Sequence, residues 1–348
     1  MITINMRSAA TTVKGQGVGS CYEEQVRLIQ ENLSDTFDVK INSIKKSKVY
    51  HYHTINPTYY IERIFRKKSS TAIGYVHFIP ETIEDSLNLP KIAKKIFYNY
   101  IISFYNKMDI LVAVNPTIIP KLKNYNINCP RIEYIPNYVS EDDFNIESEE
   151  KIQQTKEKYG IDKDKFVVMG AGQLQTRKGI LDFVEVAKML PDVQFIWAGG
   201  FSFGSLSKGH DEIKEILENP PENMKFLGMI ERSDMNSIYN ISDLVFIPSY
   251  DELFPMVILE ALCVSKPLLL RDIDVYPDIL FDYYAKGKDN SEFAYLINNL
   301  QSDKASYNNL VEKSKKCHDF YSKEKIVEKW KSLYLEAYRE ANCVEVLD

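Results

Sequence analysis

The chain has 348 residues, a length that fits two domains of ordinary size better than one core. Hydrophobic residues make up 45% and charged residues 26%, which excludes a disordered or low-complexity chain. The net charge of −6 is unevenly spread: residues 1–140 hold 18 Lys and Arg against 11 Asp and Glu, and the remainder holds 25 against 38. A basic first half suits an anionic partner, whether phosphate, nucleic acid or anionic lipid, although drift between two domains gives the same numbers. Five cysteines without a C-x-x-C pair argue against a disulfide framework or structural zinc and for a reducing compartment. The opening residues lack the apolar run of a secretory signal, and no stretch approaches the roughly 18 apolar residues of a membrane span.

In chain order, Thr3–Ser8 reads as a strand, Gly15, Gly17 and Gly19 as a turn, and Tyr22–Leu33 as a helix. The glycines permit close backbone approach to a ligand, but G-x-G-x-G is not the G-x-G-x-x-G of a dinucleotide site. Val49–His53, Ala72–Phe78 and Ile110–Val114 read as further strands. His77 stands where the strand ending near Val76 gives out, and a histidine there can donate a hydrogen bond to a ligand. For His51 and His53 a structural or solvated role is the better reading, and no histidine pair has metal spacing. Lys45, Lys46 and Lys48 form one basic cluster; Arg63, Arg66, Lys67 and Lys68 form another. A helix over 91–107 opens on Lys91, Lys94 and Lys95 and continues with Phe97, Tyr98, Tyr100, Phe104 and Tyr105. Its polar residues Lys91, Lys95, Asn99, Ser103 and Asn106 recur at helical spacing, leaving a broad apolar face for a core or a bilayer surface.

Asn137–Glu150 is acidic and aperiodic and reads as a linker, dividing a domain 1–140 from a domain 141–321. Beyond it, Phe166–Met169, Val193–Trp197, Met224–Leu227, Leu244–Ile247 and Leu268–Leu270 read as strands. Ile180–Leu190, Asp211–Glu218 and Val257–Val264 between them read as helices. That alternation predicts a parallel sheet wrapped by helices, which binds ligands at the carboxyl ends of its strands. Ser322–Ala341, within the terminal segment 322–348, reads as a long amphipathic helix.

Two stretches carry chemistry. In VFIPSYDELFPMVILEALCVS, a strand ends at Pro248, Glu252 sits in a turn, and a helix opens at Pro255, where proline suits the first helical position. Glu260 lies in that helix among Val257, Ile258, Leu259, Ala261 and Leu262. A carboxylate there needs partners, either a buried Arg or backbone amides, or the hydroxyls of a ligand. In FVVMGAGQLQTRKGILDFVEVAKML, a strand runs into Gly170 and Gly172, and Arg177 and Lys178 precede a helix opening at Gly179. Two cations with free backbone N–H groups at a helix start suit a diphosphate; the alternative is a pair of solvated surface cations.

Together these stretches resemble glycosyltransferase family 4, the retaining GT-B enzymes. E-x7-E from Glu252 to Glu260 resembles the family's signature, and Arg177–Lys178–Gly179 its diphosphate loop. Residues 191–200, 224–230 and 135–144 resemble further elements, and Val13 to Gly19 resembles the first loop of the acceptor domain. The resemblance implies two Rossmann-like domains facing each other across a cleft, with the first binding acceptor, the second binding nucleotide sugar, and the terminal helix packing back on the first. It implies that Glu252 meets the donor sugar and Glu260 the ribose, that Arg177 and Lys178 hold the diphosphate, and that His77 stands near the transferred sugar. Gly17, Gly172 and the backbone at Phe254, Pro255 and Met256 would line the donor, with Met229 and Ile230 at the uracil. No metal or other cofactor is implied, because the cations can neutralise the leaving group. Pro255 departs from the pattern by lacking an N–H, Gln173 by standing where many members carry arginine, and Asp274 and Val275 by replacing a common Gly-Gly.

GAGQLQTRKGILDFVEVAKML and IWAGGFSFG are similar to Gram-positive enzymes that glycosylate diacylglycerol lipids, in particular those adding a second hexose to monoglucosyldiacylglycerol. The expectation is a hexosyltransferase using UDP-glucose or UDP-galactose, cytoplasmic and peripheral on the plasma membrane, with no nucleic-acid partner. Action on a soluble or polyprenyl-linked saccharide, or service as a non-catalytic partner subunit, are the alternative readings.

Overall fold

A computed structural model describes residues 1–10, 17–65, 69–80, 90–201 and 209–345. Val13 and Gly15 of the glycine turn, Arg66, Lys67 and Lys68 of the second basic cluster, and residues 202–204 of the GGFSFG stretch lie outside them. The chain divides into two compact units. One comprises the described residues from Met1 to Tyr138 with those from Tyr321 onward; the other comprises those of Val139–Phe320.

The first unit is a parallel sheet of six strands: β1 Ile2–Arg7, β2 Phe37–Ile41, β3 Val49–Tyr52, β4 Thr71–Val76, β5 Ile110–Ala113 and β6 Arg131–Tyr134, in the order β2-β1-β3-β4-β5-β6. The central β3, β4 and β5 are buried throughout and read as near-continuous apolar runs. The edges β2 and β6, FDVKI and RIEY, mix polar and apolar residues, so periodicity alone does not reveal them. The helix Lys323–Glu345 completes this unit with Trp330, Tyr334 and Ala337, all at most 1% exposed.

The helix Lys91–Tyr105 corrects one expectation. Ser103 is not on a solvated stripe: the helix Pro57–Phe65 covers it, and Tyr60 Oη lies 2.7 Å from its hydroxyl. The helix is divided along its length. Ile101, Phe104 and Tyr105 are buried, whereas Ile92 and Ile96 are 78% and 66% exposed.

The segment expected as a linker is anchored instead. Asn137 accepts hydrogen bonds from the Cys21 thiol at 2.9 Å and the Tyr75 hydroxyl at 3.2 Å, and Phe144 is fully buried against Tyr239. Its acidic look comes from Glu141, Asp142 and Asp143, which are exposed.

The second unit repeats the architecture: β7 Val167–Ala171, β8 Gln194–Ala198, β9 Met224–Gly228, β10 Leu244–Ile247, β11 Leu268–Arg271 and the short β12 Ala285–Gly287, all parallel, in the order β12-β11-β10-β7-β8-β9. Phe183, from the helix Ile180–Met189, centres its core, with its ring 5.1 Å from Trp197 and 5.4 Å from both Phe195 and Phe246. From β7 the chain proceeds to β8 on one side, while β10 pairs on the other. This is the reversal of strand order at which open α/β sheets hold ligands.

Candidate functional site

The loops after β7 and β10 meet at that reversal. The β7 loop ends in one helical turn, Thr176–Lys178, and then Gly179 at φ 71°. A Cβ on Gly179 would lie 2.2 Å from the Pro248 carbonyl oxygen, so glycine alone lets the two loops touch. Tyr250 N–H donates to the Arg177 carbonyl at 2.9 Å and binds the loops together.

Side chains then converge. Lys178 Nζ donates to Glu252 Oε1 at 2.6 Å. Arg177 Nη1 donates to the Asp251 carbonyl at 2.6 Å and lies 3.9 Å from Glu252 Oε2. Burial pushes the Glu252 carboxyl up, but Lys178, Arg177 and a hydrogen bond from Ser249 more than offset it and hold the group below its usual 4.5. Burial, helped by Arg177 and opposed by Glu252, holds Lys178 below its ordinary value.

Glu260 sits in the helix Met256–Cys263, where Ile258, Leu259, Ala261 and Leu262 are all buried with it. Its Oε1 accepts from Arg232 Nη1 at 2.7 Å and its Oε2 from the Tyr239 hydroxyl at 2.6 Å. An arginine partner is therefore present, but it is partly exposed, supplied by the helix Arg232–Asn240 after β9. An ionised carboxylate accepts about four hydrogen bonds, which leaves room for a ligand hydroxyl. Burial, then the carboxylate, pushes the Tyr239 hydroxyl well above its usual range.

Apart from Gly17, the remaining expected donor residues follow the carboxyl ends of the same sheet. Gly172, at φ 140°, ends the β7 run, and a side chain there would meet only the Lys178 stem. Met229 and Ile230 follow β9, with Met229 exposed and lying close to Gly200. Phe254 and Met256 are buried, and Pro255 is the extended residue capping the helix, which starts one position later than expected. Gly17 and His77 belong to the first unit. Gly17 is exposed at the start of the helix Gly17–Asn32. His77 follows β4 and is partly exposed, with its ring 4.3 Å from Tyr75. His51 and His53 are buried, which excludes the solvated reading.

Arg271 was not among the expected residues. It ends β11, donates to the Pro248 carbonyl at 2.8 Å, pairs with Asp182 at 3.2 Å and lies 3.9 Å over the Tyr250 ring, bracing the β10 loop. An arginine closing the apolar run LLLR was the available signal. Arg232 and Tyr239 had none, since nothing local marks residues 28 and 21 positions before Glu260 as its partners. All five cysteines are free. Among the described residues, no group of His, Cys, Asp and Glu is placed to hold a metal ion, and no helix is long and apolar enough to cross a membrane.

Residues 151–317 match the family model "Glycosyl transferases group 1". An alpha-galactosylglucosyldiacylglycerol synthase of Streptococcus pneumoniae is 40% identical over 333 residues, covering 96% of this chain and 89% of its own. A processive diacylglycerol alpha-glucosyltransferase of Acholeplasma laidlawii is 28% identical over 340 residues, covering 94% of this chain and 96% of its own. Among solved structures, Anabaena HepE in complex with UDP-glucose superposes with a TM-score of 0.78 at 14% identity, over 97% of this chain and 100% of that one. The two parallel six-stranded sheets are thus those of the GT-B fold, and the chain belongs to the group 1 glycosyltransferases.

Proposed function

We propose that the chain is a retaining hexosyltransferase that moves glucose or galactose from a UDP-sugar to a membrane glycolipid such as monoglucosyldiacylglycerol. The observation that carries this reading is the convergence of Arg177, Lys178 and Glu252 at the reversal of one sheet. The likeness to the pneumococcal synthase over almost the whole chain supports the acceptor class.

In this reading the second unit binds the donor and the first binds the acceptor. As the bond from sugar to diphosphate breaks, positive charge grows on the sugar and negative charge on the leaving group. Arg177 and Lys178 stabilise the diphosphate, and in place of a metal ion they supply the compensating charge. Glu252 exchanges its ion pair with Lys178 for hydroxyls of the sugar. Glu260 takes the ribose with its spare acceptor capacity, Gly172 and the backbone at Phe254 and Met256 line the donor, and Met229 and Ile230 face the uracil.

The enzyme would work on the inner face of the plasma membrane. Exposed Ile61, Ile64 and Phe65 share one face of the helix Pro57–Phe65, and Ile92 and Ile96 one face of Lys91–Tyr105, with Lys91 and Lys95 exposed beside them. Apolar side chains next to cations suit an anionic bilayer. The test is product analysis with labelled UDP-glucose and UDP-galactose, each with and without monoglucosyldiacylglycerol. Label should enter lipid only when the glycolipid is present, in an α linkage. Label entering only a soluble saccharide would overturn the acceptor assignment.

A further inference from the structure

We propose that His53 is a positioning residue for His77, stacked behind it so that His77 stays neutral and fixed where it meets the transferred sugar. This rests on the expectation, implied by the family resemblance, that His77 stands near the transferred sugar. β3 and β4 pair with His51 opposite Ile73 and Tyr52 opposite Gly74, so alternate residues place His51, His53, Tyr75 and His77 on one face. The imidazoles form a column: ring centroids are 4.2 Å apart for His51 and His53, and 6.0 Å for His53 and His77 with 25° between their planes. The column leads outward from His51 at 0% exposure through His53 at 1% to His77, which solvent reaches.

One member is tethered. Tyr334 Oη lies 2.8 Å from His51 Nδ1. Both nitrogens of His53, and Nε2 of His77, have no hydrogen-bond partner among the described residues. Among the described residues, the groups set against the column carry no carboxylate, ammonium or guanidinium. The helix Gly17–Asn32 contributes Cys21, Gln25 and Tyr22, the last with its ring 4.9 Å from His53. The C-terminal helix contributes Trp330 and Tyr334, β4 contributes Tyr75, and β1 contributes Met6. Glu24, on the first of these helices, pairs with Arg27 at 3.0 Å. Burial lowers His51 and His77 to about 3, and lowers His53 well below its usual 6.5 with help from the two neighbouring rings.

Unpaired buried nitrogens are costly, and an aliphatic residue at position 53 would pack without them. A planar ring at 53 differs by backing His77 in an offset stack and excluding water from that side of the imidazole. A neutral His77 suits the chemistry, because a cation there would oppose the positive charge growing on the sugar.

The test is ring-selective NMR of His77 in the full chain, with the pH dependence of transfer measured alongside. In the parent, His77 should not titrate between pH 5 and 8, and turnover should show no ionisation near 6.5. In His53→Ala, His77 should titrate near 6.5 and kcat should fall about tenfold from pH 7.5 to 5.5 with UDP-sugar KM unchanged. His53→Phe should restore the flat profile. A parent His77 that titrates near 6.5, or a His53→Ala protein whose His77 stays silent and whose profile matches the parent, overturns the proposal. His77→Ala separates this from the underlying reading: full turnover by that variant sinks the role at the sugar. An inactive His77→Ala with a flat His53→Ala profile sinks only the role of His53.

Discussion

The two units build parallel six-stranded sheets with a reversal of strand order in each, yet they treat buried polar groups in opposite ways. The second unit keeps them charged and paired: Lys178 with Glu252, Arg232 with Glu260, Arg271 with Asp182. The first pairs Arg7 with Glu62, but fills the face under its terminal helix with neutral rings: His51, His53, Tyr75, Trp330 and Tyr334. Charges already held in place can meet a diphosphate with little rearrangement, whereas neutral donors and acceptors suit an uncharged hydroxyl. One fold thereby offers two different electrostatic settings, set by the side chains its strands, loops and helices carry.

The sharpest way to break this contrast is to neutralise the charged site. Glu252→Gln should lower turnover about 10²–10³-fold, the range seen when one preorganised electrostatic contact is lost. If Lys178 is released by that change, UDP alone should bind more tightly in calorimetry; weaker UDP binding would contradict the exchange of partners. Lys178→Ala should weaken UDP about tenfold to a hundredfold, since hydrogen bonds to charged groups contribute about 1.5–3 kcal/mol. Unchanged UDP affinity would remove Lys178 from the donor site.

Acid separates the units themselves. His51 and His53 stay neutral in the folded chain and protonate near 6.5 once unfolded. The unfolded state therefore binds more protons below that pH. Their contribution is complete above 6.5 and declines as pH falls below it, for His51 down to about 3, while His53, lowered well below 6.5, follows the same direction. Glu252, held below 4.5, has the carboxylate pattern: its contribution is complete above 4.5 and is lost only at lower pH. Limited proteolysis at pH 5.5 should cut the first unit before the second, and simultaneous loss would refute the contrast. The smallest effect expected is at the surface. Phe65→Ser should weaken sedimentation with anionic vesicles by about threefold to tenfold, because an interfacial side chain realises only part of the roughly 1.5–3 kcal/mol of full burial. Equal sedimentation would place the bilayer contact elsewhere.

Much of the second unit was legible because its chemistry is sequence-local. Arg177, Lys178 and Glu252 lie in short loops and Glu260 in one short helix, next to strands with clear apolar runs. What stayed hidden depends on distant pairing. The partners of Glu260 come from a different helix, and Ser103 is covered by a helix that precedes it by some forty residues (its partner Tyr60 is 43 positions away). The histidine column needs the register of β3 against β4 before it can be seen. A single sequence gives the period of a strand, not which neighbour it pairs with.

The composition of the first unit from two distant stretches also orders events during synthesis. Its sheet is made early, but Trp330, Tyr334 and Ala337 close it only once the second unit has been translated, with Tyr334 bonding to Gln25 and His51 and the Ala337 carbonyl accepting from Thr71. The intervening unit has all its own strands in hand before then. The nascent chain must therefore carry an unroofed sheet, with wet and titratable imidazoles, while the other half matures. The helix Lys323–Glu345, which emerges after the second unit, is what converts those imidazoles into a dry interior.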